Sequence, residues 1–353
     1  MKTYLVTGGA GFIGSNFILH LMRSRPDARV VNLDKLTYAG NLENLRQVEG
    51  DPRYTFIRGD ICDRALVARV FAENPIDCVV NFAAESHVDR SIESPEPFIH
   101  TNVLGTAVLL DCARKAWGTR GTQYRPGVRY LQVSTDEVYG ALDASAPSFT
   151  EESPLDPHNP YSASKASADL LVKAYWDTYR LPVNITRCCD NYGPRQFPEK
   201  LIPLMLHNAC GHRELPVYGD GLQVRDWLYV ADHCRALERV LERGRPGEVY
   251  NIGGCQERTN LSVVRAVVAY VHAHVDAGVD EGLIRHVADR MGHDRRYAIN
   301  PDKIAQELGW HAQTAFEDGL PRTLAWYLEN WPWMEHVTGG EYRDYYDRMY
   351  RGR

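Results

Sequence analysis

Residues 3–14 read TYLVTGGAGFIG, a short apolar run followed by glycines. The run is typical of a β-strand, and the amphipathic stretch from about residue 11 to residue 23 is typical of a helix. Glycines between a strand and a helix let the backbone turn tightly and approach a pyrophosphate, whose charge the helix N-terminus stabilises. The stretch therefore predicts a dinucleotide-binding turn that contains Gly8, Gly11 and Gly14.

The same alternation of short apolar runs and helix-length stretches continues to about residue 187. It is typical of a parallel sheet with helices on both faces, in which interior strands are apolar throughout. The predicted fold class is α/β, a Rossmann-type doubly wound parallel sheet with a smaller mixed α/β C-terminal substrate lobe. The predicted strands of the sheet are TYLVTG, RVVNLD, TFIRGD, CVVNFAA, VRYLQVST and VNITRC.

Beyond about residue 188 the pattern breaks into pieces punctuated by proline. We predict a helix near 230–243, then a strand in EVYNIGG (248–254) that returns to the first sheet, and then a mostly helical remainder with the polar aromatic tail EYRDYYDRMY (341–350). Residues 118–127 and 142–160 are predicted to be loops. The predicted NAD-binding domain covers 1–187 with a return segment at about 225–254, and the nucleotide-sugar lobe covers about 188–224 and 255–353.

The composition of the 353-residue chain is that of an ordinary globular protein, with 44% hydrophobic and 24% charged residues. Its net charge of −6 gives no general attraction for nucleic acid or anionic membranes, so we expect neither as a partner. No apolar run of about 20 residues predicts a membrane span. The eight cysteines form no CxxC pair and no zinc-like spacing, which predicts reduced thiols, no metal site and a cytoplasmic protein.

Asp34 ends the second predicted strand, twenty residues after Gly14. A carboxylate there accepts hydrogen bonds from a ribose 2′-hydroxyl and repels a 2′-phosphate, which favours NAD over NADP. Asp60 and Ile61 follow the third strand and NFAAESH (81–87) follows the fourth. At these strand ends we expect contacts to the adenine and to the nicotinamide ribose.

YSASK places Tyr161 and Lys165 four residues apart, hence on one helix face with Cβ atoms roughly 5–6 Å apart. An ammonium this close favours tyrosinate and moves the tyrosine pKa down from about 10, towards the pH at which tyrosine acts as a base. Because the pair follows a dinucleotide turn, and Thr135 is available to bond a substrate hydroxyl, it predicts a hydride-transfer site.

Longer motifs show that the chain resembles the extended short-chain dehydrogenase/reductases and, among them, the dTDP-glucose 4,6-dehydratases. The resemblance runs nearly end to end, and its most specific stretches are AAESHVDRSI (83–92), STDEVYG (134–140) and GHDRRY (292–297). It implies a lyase that uses NAD and regenerates it in each turnover. Such an enzyme oxidises dTDP-glucose at carbon 4, eliminates water across carbons 5 and 6 and returns hydride to carbon 6.

The resemblance also implies the catalytic roles. Tyr161, helped by Lys165, removes the hydroxyl proton at carbon 4, Glu137 removes the proton on carbon 5, and Asp136 protonates the leaving hydroxyl on carbon 6. Dehydration needs one protonated and one ionised carboxyl, and adjacent carboxyls in a dry cleft resist double ionisation. Consecutive strand residues point to opposite faces, so both carboxyls reach one sugar only if the strand ends before them.

Cofactor and substrate contacts follow from the same resemblance. The implied NAD contacts are Gly8, Gly11, Phe12, Ile13, Gly14, Asp34, Lys35, Leu36, Thr37, Asp60, Ile61, Phe82, Ala83, Ala84, Ser86, Thr101, Tyr161, Lys165 and Asn191. The implied nucleotide-sugar contacts are Ser86, His87, Thr135, Asp136, Glu137, Asp190, Lys200, Leu201, Pro216, Tyr218, Arg225, Asn260, Asp289, Arg290, His293 and Tyr297.

One position departs from the pattern of the family. In CCDNYGP (188–194) the second of the two asparagines that usually precede Tyr192 is kept as Asn191, whereas the first is Asp190. An ionised aspartate cannot donate a hydrogen bond and would sit poorly near phosphate. We therefore expect Asp190 to bond sugar hydroxyls or an arginine.

The residues leave alternatives open. A nucleotide-sugar carbon-4 epimerase shares the NAD turn and YxxxK but needs no acid–base pair, and a 4,6-dehydratase of this kind can act on a UDP- or GDP-hexose instead. A non-catalytic NAD-binding scaffold that senses sugar nucleotides would need none of the catalytic residues. The predicted helices at 102–117 and 162–179 have broad apolar coverage, and the resemblance implies that they pair across a homodimer as a four-helix bundle.

Overall fold

The computed structural model describes residues 2–339. The predicted polar aromatic tail EYRDYYDRMY (341–350) lies outside the described residues. Within residues 2–339, no helix has both the length and the apolar character that crossing a membrane requires.

The described strands and helices alternate regularly in the first half of the chain. The strands are β1 (Lys2–Thr7), β2 (Ala28–Asp34), β3 (Tyr54–Arg58), β4 (Cys78–Asn81), β5 (Gly118–Arg120), β6 (Gln123–Tyr124), β7 (Arg129–Thr135), β8 (Val183–Cys188), β9 (Asp190–Tyr192), β10 (Leu215–Tyr218), β11 (Val224–Tyr229), β12 (Val249–Ile252), β13 (Glu257–Thr259) and β14 (Ile284–Val287). The helices are α1 (Phe12–Ser24), α2 (Arg64–Glu73), α3 (Val88–Glu93), α4 (Glu96–Phe98), α5 (Thr106–Trp117), α6 (Pro160–Tyr179), α7 (Leu201–Cys210), α8 (Val230–Arg243), α9 (Asn260–His274), α10 (Asp302–Leu308), α11 (Phe316–Glu329) and α12 (Trp331–Val337). The other helical segments are the 3₁₀ helices Leu42–Val48, Asp136–Tyr139 and Glu281–Leu283, and the π-helix Ile99–Gly105.

The main sheet has seven strands in the order β12-β8-β7-β4-β1-β2-β3, and every pairing in it is parallel. The Rossmann-type sheet is thereby confirmed, and EVYNIGG returns to it as predicted, with β12 beside β8. The chain runs outwards from β1 to β3 and then crosses to β4 on the other side of β1. Ligands of such sheets bind at the carboxyl ends of the strands where the order reverses.

Two hydrophobic cores cover the two faces of this sheet. The first core joins α1 and α8 to the sheet through residues such as Phe17, Ile18 and Leu237, and the second joins α2, α5 and α6 through residues such as Val67, Leu109 and Val172. Because interior parallel strands are covered on both faces, β1 and β4 are buried almost throughout, as their apolar sequences require.

A third core lies between smaller elements of the second half of the chain. It packs α7 against α9 and α11, above the three-stranded sheet β13-β11-β9 and the two-stranded sheet β10-β14. The prediction of a mostly helical remainder missed β13 and β14, which are three and four residues long. Strands this short carry too little periodicity to be read from sequence.

The region 118–127 differs from its prediction as a loop. It forms a small antiparallel hairpin of β5 and β6, and Gly121 at its turn has a positive φ of 59°. Glycine is the residue for which this backbone conformation costs least. The hairpin is exposed and lies apart from the elements that build the candidate site.

Candidate active site

The glycine turn between β1 and α1 leaves an open surface for an anion. Gly8 has a φ of +66°, and a Cβ there would lie 2.6 Å from the backbone nitrogen of Ala83, so only glycine lets β1 approach the segment after β4. A Cβ on Gly11 would meet only the Gly8 carbonyl oxygen, at 3.3 Å. Gly11 caps α1 without a side-chain hydrogen bond, and the first turn of α1 carries no acidic residue. The free helix N-terminus fits the pyrophosphate of a dinucleotide.

Asp34 is held rigidly at the end of β2. One of its carboxylate oxygens accepts a hydrogen bond from the Ala10 nitrogen at 2.9 Å, and the other accepts one from the Leu36 nitrogen at 2.8 Å. Burial raises the pKa of Asp34, and both of these backbone hydrogen bonds oppose that rise. Leu36, which has a φ of 57°, supports Asp34 through this hydrogen bond. A residue in direct contact with the cofactor would line the cleft described next, and Leu36 does not line it.

A single cleft runs along the carboxyl ends of the central strands, from Asp34 to Glu137 and Lys200. It brings together every predicted cofactor residue except Leu36, together with six of the predicted substrate residues. The predicted residues that line it are Gly8, Gly11, Phe12, Ile13, Gly14, Asp34, Lys35, Thr37, Asp60, Ile61, Phe82, Ala83, Ala84, Ser86, Thr101, Thr135, Asp136, Glu137, Tyr161, Lys165, Asp190, Asn191 and Lys200.

Tyr161 and Lys165 occupy the first turns of α6. Asn159 and Ser162 start this helix with a reciprocal capping box, and Pro160 stands in its first turn. The Lys165 ammonium donates a hydrogen bond to the Val133 carbonyl oxygen at 2.7 Å, which ties α6 to β7. Both side chains are buried, although both line the cleft.

The sequence predicts that Lys165 lowers the pKa of Tyr161, but in the folded protein this pKa is raised. Burial raises the pKa of Tyr161 well above its usual value, and the negative charge of Glu137 adds to the rise. A hydrogen bond with Thr135 opposes it. Burial also lowers the pKa of Lys165. The prediction was wrong because helical spacing reveals the neighbouring ammonium but not the loss of water around the phenol.

The carboxyl pair follows directly on the end of a strand. β7 ends at Thr135, and a 3₁₀ turn then begins at Asp136, with the Glu137 nitrogen donating to the Thr135 hydroxyl at 3.2 Å. Because the backbone has left the extended conformation, Asp136 and Glu137 both line the cleft. One oxygen of each carboxyl is buried and lacks a hydrogen-bond partner among the described residues.

The two carboxyls have unequal surroundings. Burial raises the pKa of Asp136 well above its usual value, and the neighbouring carboxylates of Asp190 and Glu137 raise it further. Burial and Asp190 also raise the pKa of Glu137, but the positive charges of Arg290, Lys200 and Arg225 oppose this rise. The surroundings therefore hold a proton more strongly on Asp136 than on Glu137.

Asp190 lies at the start of β9, between the carboxyl pair and an arginine. Its Oδ2 atom is 3.9 Å from Nε of Arg225, whose side chain is only 7% exposed. The arginine partner expected from the sequence is therefore present. His233 contacts the next residue, Asn191: the His233 Nδ1 atom lies 2.9 Å from the Asn191 side-chain oxygen and fixes the orientation of this amide.

The remaining predicted substrate residues do not line the cleft, and all of them except His87 lie in the second half of the chain. Gln223 donates a hydrogen bond to Asp289 at 2.9 Å, and Asp289 in turn lies 2.6 Å from His293 Nδ1. The Arg225 guanidinium stacks over the Tyr297 ring, 4.2 Å from its centroid. His87 is buried at the start of α3, and the others lie on elements of the lobe, at Leu201, Pro216, Tyr218, Asn260 and Arg290.

Sequence reasoning missed two buried polar residues that shape the cleft. Glu199 is 8% exposed, accepts a hydrogen bond from the Tyr38 hydroxyl at 2.9 Å and lies 3.5 Å from Arg90 Nε. The Asn102 side chain bonds both the nitrogen and the carbonyl of Glu85 and donates to the Ser164 hydroxyl at 2.8 Å. The residues in each of these contacts are 17 to 161 positions apart in the chain, so no local sequence pattern predicts the contacts.

Comparisons with known proteins identify the family of the chain. The family model described as GDP-mannose 4,6 dehydratase matches residues 5–323. A dTDP-glucose 4,6-dehydratase of Xanthomonas campestris pv. campestris (strain B100) is 54% identical over 97% of this chain and 98% of its own length. Another, from Neisseria meningitidis serogroup B, is 52% identical over 97% of this chain and 98% of its own length.

Solved structures show the same likeness. The dTDP-glucose 4,6-dehydratase of Streptomyces venezuelae, solved with NAD bound, superposes with a TM-score of 0.87 at 50% identity, covering 95% of this chain and 100% of that chain. The UDP-glucose 4-epimerase of Thermotoga maritima superposes with a TM-score of 0.82 at only 27% identity, covering 94% of this chain and 100% of that chain. The chain belongs to the dTDP-glucose 4,6-dehydratase family.

Proposed function

We propose that the protein is an NAD-dependent hydro-lyase that converts dTDP-glucose into dTDP-4-keto-6-deoxyglucose. The observation that carries this proposal is the composition of the cleft. It joins a Tyr161–Lys165 pair to two adjacent carboxyls, of which Asp136 holds a proton more strongly than Glu137 does. A carbon-4 epimerase has no use for such a pair, because it expels no water.

The glycine turn, the Asp34 carboxylate and the segment Phe82–Ala84 would hold NAD along the first part of the cleft. The fixed negative charge of Asp34 favours a free ribose 2′-hydroxyl over a 2′-phosphate, hence NAD over NADP. Bound NAD would supply the hydride acceptor for carbon 4 of the sugar and, once reduced, the hydride donor for carbon 6. The protein's own side chains handle the protons.

Tyr161 accepts the hydroxyl proton at carbon 4. Burial and the charge of Glu137 raise the pKa of Tyr161, so the phenol acts as a base only where a nearby positive charge stabilises the phenolate. Lys165, one helical turn away and anchored to the Val133 carbonyl, supplies such a charge in a fixed position. Thr135, which bonds the Glu137 nitrogen, has its hydroxyl in the cleft and steadies the sugar.

Elimination then uses the carboxyl pair. With a ketone at carbon 4, the proton on carbon 5 becomes acidic, and the ionised carboxylate of Glu137 removes it. Asp136, which retains its proton, gives that proton to the hydroxyl on carbon 6. The carbon–oxygen bond breaks, the hydroxyl leaves as water, and a double bond joins carbons 5 and 6. When a hydride is added to carbon 6, Glu137 gives a proton back to carbon 5.

We further propose that the substrate lies between two functional lobes. The NAD-binding part comprises residues 1–187 with a return segment at about 225–254, and the lobe from about 188–224 and 255–353 binds the nucleotide. Three cations oppose the rise in the pKa of Glu137: Arg290 and Lys200 of this lobe, and Arg225 at the start of the return segment. Their positive charge supports the binding of a diphosphate beside the sugar. Arginine suits phosphate because its guanidinium is permanently charged and presents paired donors.

We also propose that the protein acts in the cytoplasm as a homodimer. Large apolar side chains are exposed around the second core: Leu170 on α6 is 60% exposed, and Ile99 and Leu104 of the π-helix are 51% and 44% exposed. A dimer that pairs these helices would bury them. Light scattering after size exclusion tests the state, and a monomer at micromolar concentration would contradict the proposal.

The activity is tested with dTDP-glucose deuterated at carbon 4. A dehydratase moves the label to carbon 6 of a 4-keto-6-deoxy product, which mass spectrometry and proton NMR identify. A carbon-4 epimer as sole product would support the epimerase instead, and bound NAD without turnover would support a non-catalytic scaffold. UDP-glucose and GDP-mannose assayed in parallel determine the nucleotide preference.

A further inference from the structure

The elimination end of the cleft holds a third carboxyl beside the acid–base pair. The parallel pairing of β7 with β8 sets Thr135 opposite Cys188, so the chain segments that follow these residues leave the sheet side by side. Asp136 and Glu137 follow Thr135, and Asp190 follows Cys188 by two residues. Pairing of Asp190 with Trp227 on β11 then fixes the backbone of Asp190 at this edge.

We propose that Asp190 is a positioning residue for the elimination step: its fixed negative charge beside Asp136 and Glu137 keeps the acid proton on Asp136. The proposal rests on the proposed function, since the dehydration needs that proton. Asp190 does not itself exchange a proton with the sugar in this role. It acts through the other two carboxyls.

The exposed fraction of each carboxyl and the charges of its neighbours determine which of the three is protonated. The Asp190 side chain is 41% exposed and lies 3.9 Å from the Arg225 guanidinium, whereas Asp136 is only 2% exposed. The carboxyl with more solvent contact and an arginine neighbour bears the charge more easily, and a second charge at the most buried site is disfavoured. Asp190 is accordingly the second-largest influence, after burial, that raises the pKa of each member of the pair.

Other charged groups around the three carboxyls leave this assignment intact. Asp226 on β11 adds negative charge near Asp136. Burial raises the pKa of Asp190 itself, and the cations Arg225, Lys200 and Arg290 oppose that rise. Asp226 already accepts hydrogen bonds from the backbone nitrogens of Gly254 and Gln256, which tie it to the segment after β12. The thiols of Cys188 and Cys189 stay neutral, because burial raises the pKa of each.

The test is the Asp190→Asn variant, which keeps shape and removes the charge. Both limbs of the pH profile of kcat for dehydration should move to lower pH by roughly one unit, because the pKa of Glu137 and that of Asp136 both fall. Asp190→Glu should keep both limbs at the wild-type pH. Asp177→Asn, which removes an exposed charge on α6, should leave the profile unchanged.

An unshifted profile with lower kcat would overturn the proposal, as would a rise in KM alone, which would mark a substrate contact. A second measurement does not need activity. The infrared carbonyl band of a protonated carboxyl, assigned by its loss in Asp136→Asn, should titrate at lower pH in Asp190→Asn. An equal titration midpoint in the two proteins would also overturn the proposal.

The two measurements separate this inference from the proposed function. If wild-type protein forms no 4-keto-6-deoxy product, the proposed function fails and the infrared titration alone decides the role of Asp190. If product forms normally, and neither the pH profile of kcat nor the infrared band shifts in Asp190→Asn, the proposed dehydratase function is supported and the proposed role of Asp190 is wrong.

Discussion

Arg187 on β8 donates a hydrogen bond to Asp169 on α6, with Nε 2.9 Å from Oδ2, and both side chains are almost completely buried. Asp169 lies one turn beyond Lys165, and Arg187 also donates to the Tyr139 hydroxyl at 2.9 Å, at the end of the 3₁₀ turn that carries the carboxyl pair. This ion pair therefore joins the two elements that present the catalytic residues.

Arg187→Met should destabilise the protein by about 3–5 kcal/mol, because it leaves the carboxylate of Asp169 buried without its partner. Denaturant unfolding followed by circular dichroism measures the loss. The matched control is Arg265→Met, which breaks an exposed pair with Glu281 and should cost about 1 kcal/mol or less. Equal losses in the two variants would contradict the structural role of the buried pair.

Gly8→Ala should lower the free energy of unfolding by about 1–3 kcal/mol and abolish tight NAD binding. The positive φ is unfavourable for alanine, and the new Cβ would press on the backbone of Ala83. Gly50→Ala is the control, since a Cβ there meets nothing within 4 Å. Calorimetric NAD titration and urea unfolding report the two effects, and a Gly8→Ala protein with wild-type values for both would refute the close approach.

Glu137→Gln should still oxidise carbon 4 but stall at elimination, with dehydration slowed by about 10²–10⁴-fold, the usual contribution of a general base. Rapid-quench analysis should reveal accumulation of the 4-keto hexose, and solvent deuterium should no longer enter at carbon 5. Unimpaired dehydration by this variant would refute the assignment of Glu137 as the base.

His158 links the segment before α6 to the lobe, with Nδ1 2.6 Å from Asp294. The hydrogen bond with Asp294 is the main cause that raises the pKa of His158 above its usual value of about 6.5. The stabilisation is thus fully present below about pH 6.5 and is lost as pH rises through the raised pKa. The melting-temperature advantage of wild type over His158→Gln should shrink from pH 6 to pH 8, and an advantage that grows over this range would contradict the link.

The parts of this protein that could be predicted from sequence are those that depend on neighbours along the chain. The turn around Gly8, the strands of the main sheet and the helix over 230–243 follow from local conformational preference and periodicity. The seven-stranded sheet follows from their alternation, and the cofactor contacts at the strand ends follow from the known geometry of such sheets. Among the predicted cofactor residues, only Leu36, whose backbone nitrogen donates to Asp34, does not line the cleft.

Tertiary structure decided the electrostatics of the site. Helical spacing predicted a lowered pKa for Tyr161, but burial raises it, and only the folded chain shows that Asp136 is more deeply buried than Glu137 and lies among more carboxylates. The roles of Glu199 and Asn102 likewise escaped sequence reasoning, and only the structure shows that Arg225 is the arginine near Asp190. Local geometry depends on adjacent residues, whereas the free energy of a charge depends on every dipole, charge and water molecule that folding brings near it or removes.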